Sequence, residues 1–399
     1  MLQSRCCHRV GPDAQALRSV ATRASTVICT VSAAQAHSKA GHPECPERVE
    51  AITEALDAAG AIALVRDGGG RRASEHELGL VHPPGYLSAV RATCDKLKES
   101  TLVDDSTYLA PGSYDACAQS VGAALSMLDG LLGEGHGAGG AFSGSGAGGG
   151  GGGDVEATAE VQGHAAGFAL VRPPGHHVLP GRPMGFGVFN TIAVAVQYAR
   201  QRYGIEKVLV VDFDVHHGNG TQEVFYEDPH VLYISVHQAG LWPYTGKARE
   251  TGSGEGRGTT INVPLPGGSG DAALKQAFQR VIRPAAERFR PELVLSSAGF
   301  DAHWRDPLAG MQLTPQGYHW LCLQLRELSL RLAGPGRLGL VLEGGYDRPS
   351  LAESVVASLE GLAGLPYTSV PTPGARDLYE EPARRVEAAI QEVCRLHGL

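Results

Sequence analysis

From Phe168 onward the chain alternates short apolar runs with longer stretches of helical period. The runs are Phe168–Val171, Lys207–Val211, Val231–Val236, Leu293–Ser296 and Leu338–Leu342. Around them, apolar residues recur every three or four positions near Ile192–Tyr203, Asp271–Phe289, Pro315–Leu332 and Pro349–Leu362, the spacing of one helix face. Strands that are apolar throughout need cover on both sides. The rhythm therefore predicts an α/β fold with three layers, one central and mostly parallel sheet between two sets of helices. Upstream, Thr26–Val31 reads as a first strand, and Pro46 opens a helix that runs to Ala59 and stops at Gly60. Helical patterns also cover Gly85–Lys98 and Tyr114–Leu132, and an amphipathic segment, Glu381–Leu396, is expected to pack outside.

Two segments break this pattern. Gly133–Gly163 is dominated by glycine, with an unbroken run from Gly148 to Gly153. No Gly-Lys-Ser/Thr follows and no strand leads directly into it, so it reads as a flexible loop insertion rather than a phosphate loop. Near the start, Arg5, Arg9, Arg18 and Arg23 face a single acid, Asp13, among small residues. Such Arg-rich, acid-poor composition is that of an organelle transit peptide. The expected organisation is a transit-like presequence over 1–25, one catalytic domain over 26–370 that carries the 133–163 insertion, and a helical extension over 371–399.

The polar motifs sit where the apolar runs end. Phe168–Val171 leads into Arg172-Pro173-Pro174-Gly175-His176-His177, and the run ending at Val211 into Asp212-Phe213-Asp214-Val215-His216-His217-Gly218. Leu293–Leu295 leads into Ser296-Ser297-Ala298-Gly299-Phe300-Asp301, and Leu340–Leu342 into Glu343-Gly344-Gly345-Tyr346. Open α/β sheets bind ligands beyond the carboxyl ends of their strands. On an extended chain Asp212, Asp214 and His216 share a face, while Phe213 and Val215 pack the other way. Buried carboxylates demand a partner, and imidazole with carboxylate suits Zn²⁺, Fe²⁺ or Mn²⁺. Asp214 and His216 are two candidate ligands and Asp301 a natural third, leaving a position for water. Asp306 competes with Asp301, which could instead cap a helix. His176 and His177 are candidate acid-base groups, although tandem histidines also cap loops. Tyr346 can donate to a developing oxyanion, and Gly344 and Gly345 let backbone approach the substrate. His42 and His82 read as hydrogen-bonding residues rather than ligands.

With these residues assembled, the chain resembles the zinc-dependent histone deacetylases, in the class II branch that also resembles acetylpolyamine amidohydrolases. The resemblance spans Val27 to Leu365. It rests on the four motifs above together with His42-Pro43-Glu44, Tyr108-Leu109-Ala110-Pro111, Gly185-Phe186, Gly218-Asn219-Gly220-Thr221-Gln222 and Asp306-Pro307-Leu308. Met184-Gly185-Phe186, Pro264-Leu265-Pro266-Gly267-Gly268 and Leu378-Tyr379-Glu380-Glu381-Pro382 look most like organelle-targeted plant and algal members. The resemblance implies Zn²⁺ on Asp214, His216 and Asp301, with Tyr346 polarising the acetyl carbonyl. It implies His176 and His177 as the acid-base pair, supported by Asp212 and Asn219, with the division of acid and base work between them left open. It further implies a structural K⁺ site at Asp212, Ser235 and the carbonyls of Asp214, His216 and Val236. Phe186 and Trp242 fall at positions lining an acyl-lysine channel, and Ser106 at one that can bond the substrate amide.

The expected function is hydrolysis of acetyl-lysine in proteins or peptides. A deacetylase of acetylated polyamines or arylalkylamines is the alternative, and an inactive acetyl-lysine binding scaffold a third reading. The net charge of −8 argues against direct nucleic-acid binding. No apolar stretch reaches the roughly 18 residues of a membrane span. Eight cysteines without a C-x-x-C pair suit reduced thiols in an intracellular compartment, expected to be a plastid or, alternatively, a mitochondrion.

Overall fold

In chain order the strands are Val27–Ser32 (β1), Val65–Asp67 (β2), Thr101–Leu102 (β3), Tyr108–Leu109 (β4), Ala166–Val171 (β5), Val208–Asp212 (β6), Val231–Gln238 (β7), Thr260–Leu265 (β8), Leu293–Ala298 (β9) and Leu338–Leu342 (β10). The computed structural model describes residues 27–61, 65–67, 69–133, 166–368 and 378–399. The expected presequence, the body of the glycine-rich insertion and Thr26 lie outside the described residues. Eight strands form one sheet in the order β2-β1-β5-β10-β9-β6-β7-β8. Every pairing in it is parallel. The short β3 and β4 make a separate antiparallel ribbon.

The two-residue alternation of the strands sorts the core into two halves. Leu209, Val211, Leu338, Leu340 and Leu342 face one half, built with helices Glu47–Ala58, Pro315–Leu332 and Arg348–Ala363. Val208, Val210 and Val341 face the other, built with helices Pro84–Lys96, Ser113–Gly133 and Thr191–Tyr203. Both faces of the sheet are thus covered, which is why its strands read as continuous apolar runs. The helix starts are local: Thr314 Oγ1 accepts from the Gly317 N–H and Asp347 Oδ1 from the Ser350 N–H, each just before a proline in the first turn.

Three details depart from the sequence expectation. The helix expected over Asp271–Phe289 is interrupted by a π-turn at Phe278–Ile282, immediately before Arg283-Pro284. A proline has no N–H for the i−4 carbonyl, and a wider turn absorbs the break. β8 went unread because Pro264 argues against a central strand; it is an edge strand, where a missing N–H is tolerated. β2 is only three residues long, too short to leave a periodic signal.

The expected C-terminal amphipathic helix is Ala383–His397, with Val386, Ile390 and Val393 buried on one face. It packs against β8, and just ahead of it Glu381 accepts from the Ala272 and Ala273 N–H groups, at 2.9 Å each, at the start of helix Asp271–Ala277. Ile390 is fully buried, so Ile390→Ala should destabilise the protein by about 2–5 kcal/mol, read as a shifted denaturant midpoint. An unchanged midpoint would mean that this helix does not share the cooperative core.

Candidate active site

β6 ends at Asp212, and beyond it the chain leaves the extended path. The Asp214 N–H donates to Asp212 Oδ1 (3.2 Å) and the His216 N–H to Asp214 Oδ1 (2.9 Å). These side-chain turns, rather than a continued strand, set Asp214 beside His216. Phe213 and Val215 still pack in the same core half as Leu209 and Val211. From the end of β9, Asp301 places Oδ1 where it accepts from the Val215 N–H (3.0 Å) and Oδ2 3.1 Å from His216 Nδ1. Asp214 Oδ1 lies 3.2 Å from the same nitrogen. One donor atom from each of Asp214, His216 and Asp301 therefore lies within 4.8 Å of the other two. Asp301 starts no helix. Asp306 is elsewhere: it accepts from the N–H groups of Tyr346 (2.7 Å) and Leu308 (3.0 Å), anchoring the tyrosine loop.

Charge in this pocket is unbalanced without a cation. Asp214 and Asp301 are buried, and removal from water penalises both carboxylates. Burial and the neighbouring Asp214 charge raise the pKa of Asp301. Burial also opposes the charged form of His216, yet hydrogen bonds with Asp214 and Asp301 push its pKa up to about 10. The site thus draws positive charge to one point. Two carboxylates and an imidazole around that point suit a divalent ion held by three groups, with a fourth position open.

The tandem histidines sit above it and differ from each other. His176 Nδ1 is 3.0 Å from Asp212 Oδ2, a carboxylate that also accepts from the Tyr233 hydroxyl (2.9 Å). His177 Nδ1 is 2.9 Å from Asn219 Oδ1, a neutral partner. Burial works against the charged form of both. The carboxylates of Asp212, Asp214 and Glu343 overcome this at His176, raising it to about 10. Burial and the charges of His176 and His216 hold His177 well below the ordinary imidazole range. One partner is thus biased to carry a proton and the other to lack one.

The remaining expected residues surround this centre. Phe186 packs edge-on to Tyr346 with ring centroids 5.5 Å apart, and Trp242 lies 4.7 Å from His177 and 6.2 Å from His216. Ser106 lies on the turn between β3 and β4; its carbonyl accepts from His42 Nε2 (2.9 Å), and its neighbour Thr107 accepts at Oγ1 from the Phe186 N–H (3.1 Å). His82 bonds the Pro180 carbonyl and accepts from the Asn190 N–H, so both it and His42 are hydrogen-bonding residues. Asp212 and Ser235 are register partners on β6 and β7, with the Ser235 hydroxyl 2.8 Å from His237 Nδ1.

Gly344 meets a second constraint besides the expected approach to substrate. A Cβ there would come within 2.1 Å of Asp301 Oδ2 and 2.7 Å of Asp214 Oδ2, and its N–H donates to Asp214 Oδ2 (2.9 Å). Its bare backbone lets β10 close against both carboxylates. Gly185 likewise adopts φ +59° against the ring of His177.

Residues to which the sequence analysis assigned no role lie behind the centre. Glu44 is buried and bonds Arg172 at Nε (2.6 Å) and Nη2 (2.5 Å). Arg48 donates to the carbonyls of Gly345 (2.7 Å) and Glu343 (2.6 Å) and places its guanidinium 4.8 Å from the Tyr346 ring centre. Glu343 accepts from the Gly175 N–H (2.6 Å) and from the Ser297 hydroxyl (3.0 Å), and burial raises its pKa to about 7. Glu44, Arg172 and Glu343 stand in the quoted motifs, but nothing in their spacing shows that they meet behind the site.

Replacing Gly344 by alanine must push apart the carboxylates of Asp301 and Asp214. Gly344→Ala should weaken divalent-ion binding by about 10–100-fold while leaving the circular dichroism spectrum intact. Calorimetric titration of metal-free protein checks this; unchanged affinity would remove the backbone contact from the ligand support.

Comparison with known proteins shows the family. Residues 42–362 match the model of the histone deacetylase domain. The chain is 39% identical to "Histone deacetylase 10, chloroplastic" of Oryza sativa subsp. japonica, over 94% of this chain and 82% of that protein. It is also 39% identical to "Polyamine deacetylase HDAC10" of Homo sapiens, over 84% of this chain and 47% of that one. The crystal structure of the HDA15 HD domain superposes with a TM-score of 0.75 at 33% identity, covering 93% of this chain and 96% of that one. The chain belongs to the histone deacetylase family of amidohydrolases, on an α/β fold of the arginase-deacetylase kind.

Proposed function

We propose that this family member is a Zn²⁺ enzyme that removes acetyl groups from lysine side chains of proteins, and that it works in a plastid. The observation that carries the reading is the convergence of Asp214, His216 and Asp301 on one point, beside two histidines of which one is paired with a carboxylate and the other with an amide. Zn²⁺ held there would polarise the acetyl carbonyl and lower the pKa of water. His177 donates Nδ1–H to Asn219, which leaves Nε2 with a free lone pair to take the proton from the attacking water. His176, paired with the Asp212 carboxylate, holds its proton and steadies negative charge beside it. Tyr346 donates its hydroxyl to the oxygen on which negative charge develops, and the proton taken up by His177 passes to the lysine nitrogen as the C–N bond breaks, releasing acetate and the free amine. Its backbone is pinned by Asp306 and its ring by Arg48 and Phe186. Phe186 and Trp242 flank the acyl-lysine stem, and Ser106 bonds the substrate amide at the rim. K⁺ on Asp212, Ser235 and the carbonyls of Asp214, His216 and Val236 would stiffen the β6 and β7 ends.

A plastid address draws on the Arg-rich, acid-poor start of the chain and on the rice relative's printed name. A second reading is favoured by the human relative: hydrolysis of acetylated small amines at the same centre. Steady-state kcat/KM on an acetyl-lysine peptide, compared with acetylspermidine and an acetylated arylalkylamine, separates the two. The peptide should be preferred; a large preference for the free amines would replace the first reading with the second.

Tyr346→Phe removes only the oxyanion donor. It should keep the metal and lower kcat by about 10²–10³-fold. Unchanged kcat with full metal content would take Tyr346 out of the mechanism.

A further inference from the structure

Beside the catalytic centre runs an open groove of about 990 Å³ that the chemistry above does not use. Its walls include Met184, Asn219, Glu223, Glu227, Pro243 and Thr245. It is continuous with the site: Asn219 turns Oδ1 to His177 and also lines the groove. Met184 lies two residues from Phe186, and Pro243 follows Trp242, so both walls start at the residues beside the channel.

The lining carries a surplus of acid. Asp228 is neutralised by Arg200 at 2.6 Å, and Arg182 is the one basic residue among the lining residues. Glu223 makes no ion pair among the described residues, and Glu227 accepts only from the Ser253 hydroxyl (3.0 Å). Asn219, Glu223 and Glu227 follow one another at four-residue spacing, beginning in helix Asn219–Phe225. With a rise of about 1.5 Å per residue, Glu223 stands roughly 6 Å from the Asn219 end, and Glu227 follows in the turn beyond the helix. An extended peptide covers that span in about two to four residues at ~3.3 Å each.

A further residue stands between two that line the groove. Tyr244, between Pro243 and Thr245, is 71% exposed and held at φ +67°, a left-handed backbone that favours glycine. The turn is closed by its N–H donating to the Leu241 carbonyl (2.9 Å). A large aromatic ring kept in solvent at a strained position has no packing purpose there and suits contact with a bound chain.

We propose that this groove seats the substrate chain on one side of the acetyl-lysine, that Glu223 and Glu227 favour a basic residue two to four positions away, and that Tyr244 packs on the intervening residues. The proposal rests on the protein-lysine reading above and deepens it. A free acetylated amine has no flanking chain for Tyr244 to pack on, and an acetylated arylalkylamine has no second charge to meet Glu223 and Glu227, whereas the ammonium groups of an acetylated polyamine would meet them.

The test is steady-state kcat/KM on peptides with arginine or glutamate two to four residues from the acetyl-lysine, on each side in turn. N-acetyl-lysine methylamide, which has no flanking residues, reports on the catalytic centre alone. On one side arginine should be preferred over glutamate by about three- to tenfold, a margin that shrinks as ionic strength rises. The double substitution Glu223→Gln with Glu227→Gln should abolish the preference. Tyr244→Gly, which relieves the backbone, should raise KM for arginine and glutamate peptides alike by about threefold. Absence of a charge preference on both sides, or a preference that survives the double substitution, overturns the proposal. If the double variant does not fold, the salt dependence of the wild-type preference decides in its place, and a salt-insensitive preference overturns it. Failure to hydrolyse the methylamide and the peptides alike would instead overturn the protein-lysine reading.

Discussion

Two carboxylates buried within reach of one imidazole nitrogen, in a pocket walled by apolar strand ends, constrain everything around them. Desolvation penalises each charge by several kcal/mol, and their mutual repulsion adds to that. Neighbouring groups answer only part of the demand: backbone N–H groups of Val215, His216 and Gly344 donate to the carboxylates. A divalent ion bound as proposed would supply the remainder. On that proposal the pocket links binding energy to fold energy, because the ion that serves chemistry would also relieve the strain of burying Asp214 and Asp301.

That linkage explains the construction behind the site. β10 must come close enough to aim an N–H at Asp214, and only glycine allows it at position 344. The loops carrying Tyr346 and the tandem histidines are irregular backbone, so their carbonyls and amides need partners other than sheet neighbours. Arg48 takes the carbonyls of Glu343 and Gly345, Glu343 takes the amides of Gly175 and His176, and Arg172 takes the carbonyls of Ala33 and Ala34. Glu44 sits between the two arginines. Buried charge here acts as scaffolding for loops that no regular element holds, and it converges from the ends of β1, β5 and β10.

The sheet and its helices were legible because burial on both faces leaves continuous apolar runs, and helix faces leave their own period. The closeness of Asp214, His216 and Asp301 was legible because Asp214 and His216 follow an apolar strand directly. How they come together was not: extended geometry gave the right side for Phe213 and Val215, but local turns on Asp212 and Asp214 place the ligands. Asp306 and Asp301 could not be separated by sequence, since each is an acid after the same strand; only the tyrosine loop's amides distinguish them. The difference between His176 and His177 depends on partners 36 and 42 residues away, and spacing alone carries no such information. Short elements such as β2, and an edge strand bearing Pro264, lacked enough residues or the right ones to make a period.

The central claim is that catalysis depends on an ion gripped by Asp214, His216 and Asp301. Metal content and acetyl-lysine hydrolysis measured on the same purified protein, before and after exhaustive chelation, test it most directly. The account predicts about one divalent ion per chain, hydrolysis lost with that ion, and both restored by adding Zn²⁺. Hydrolysis that persists undiminished in metal-free protein would contradict it.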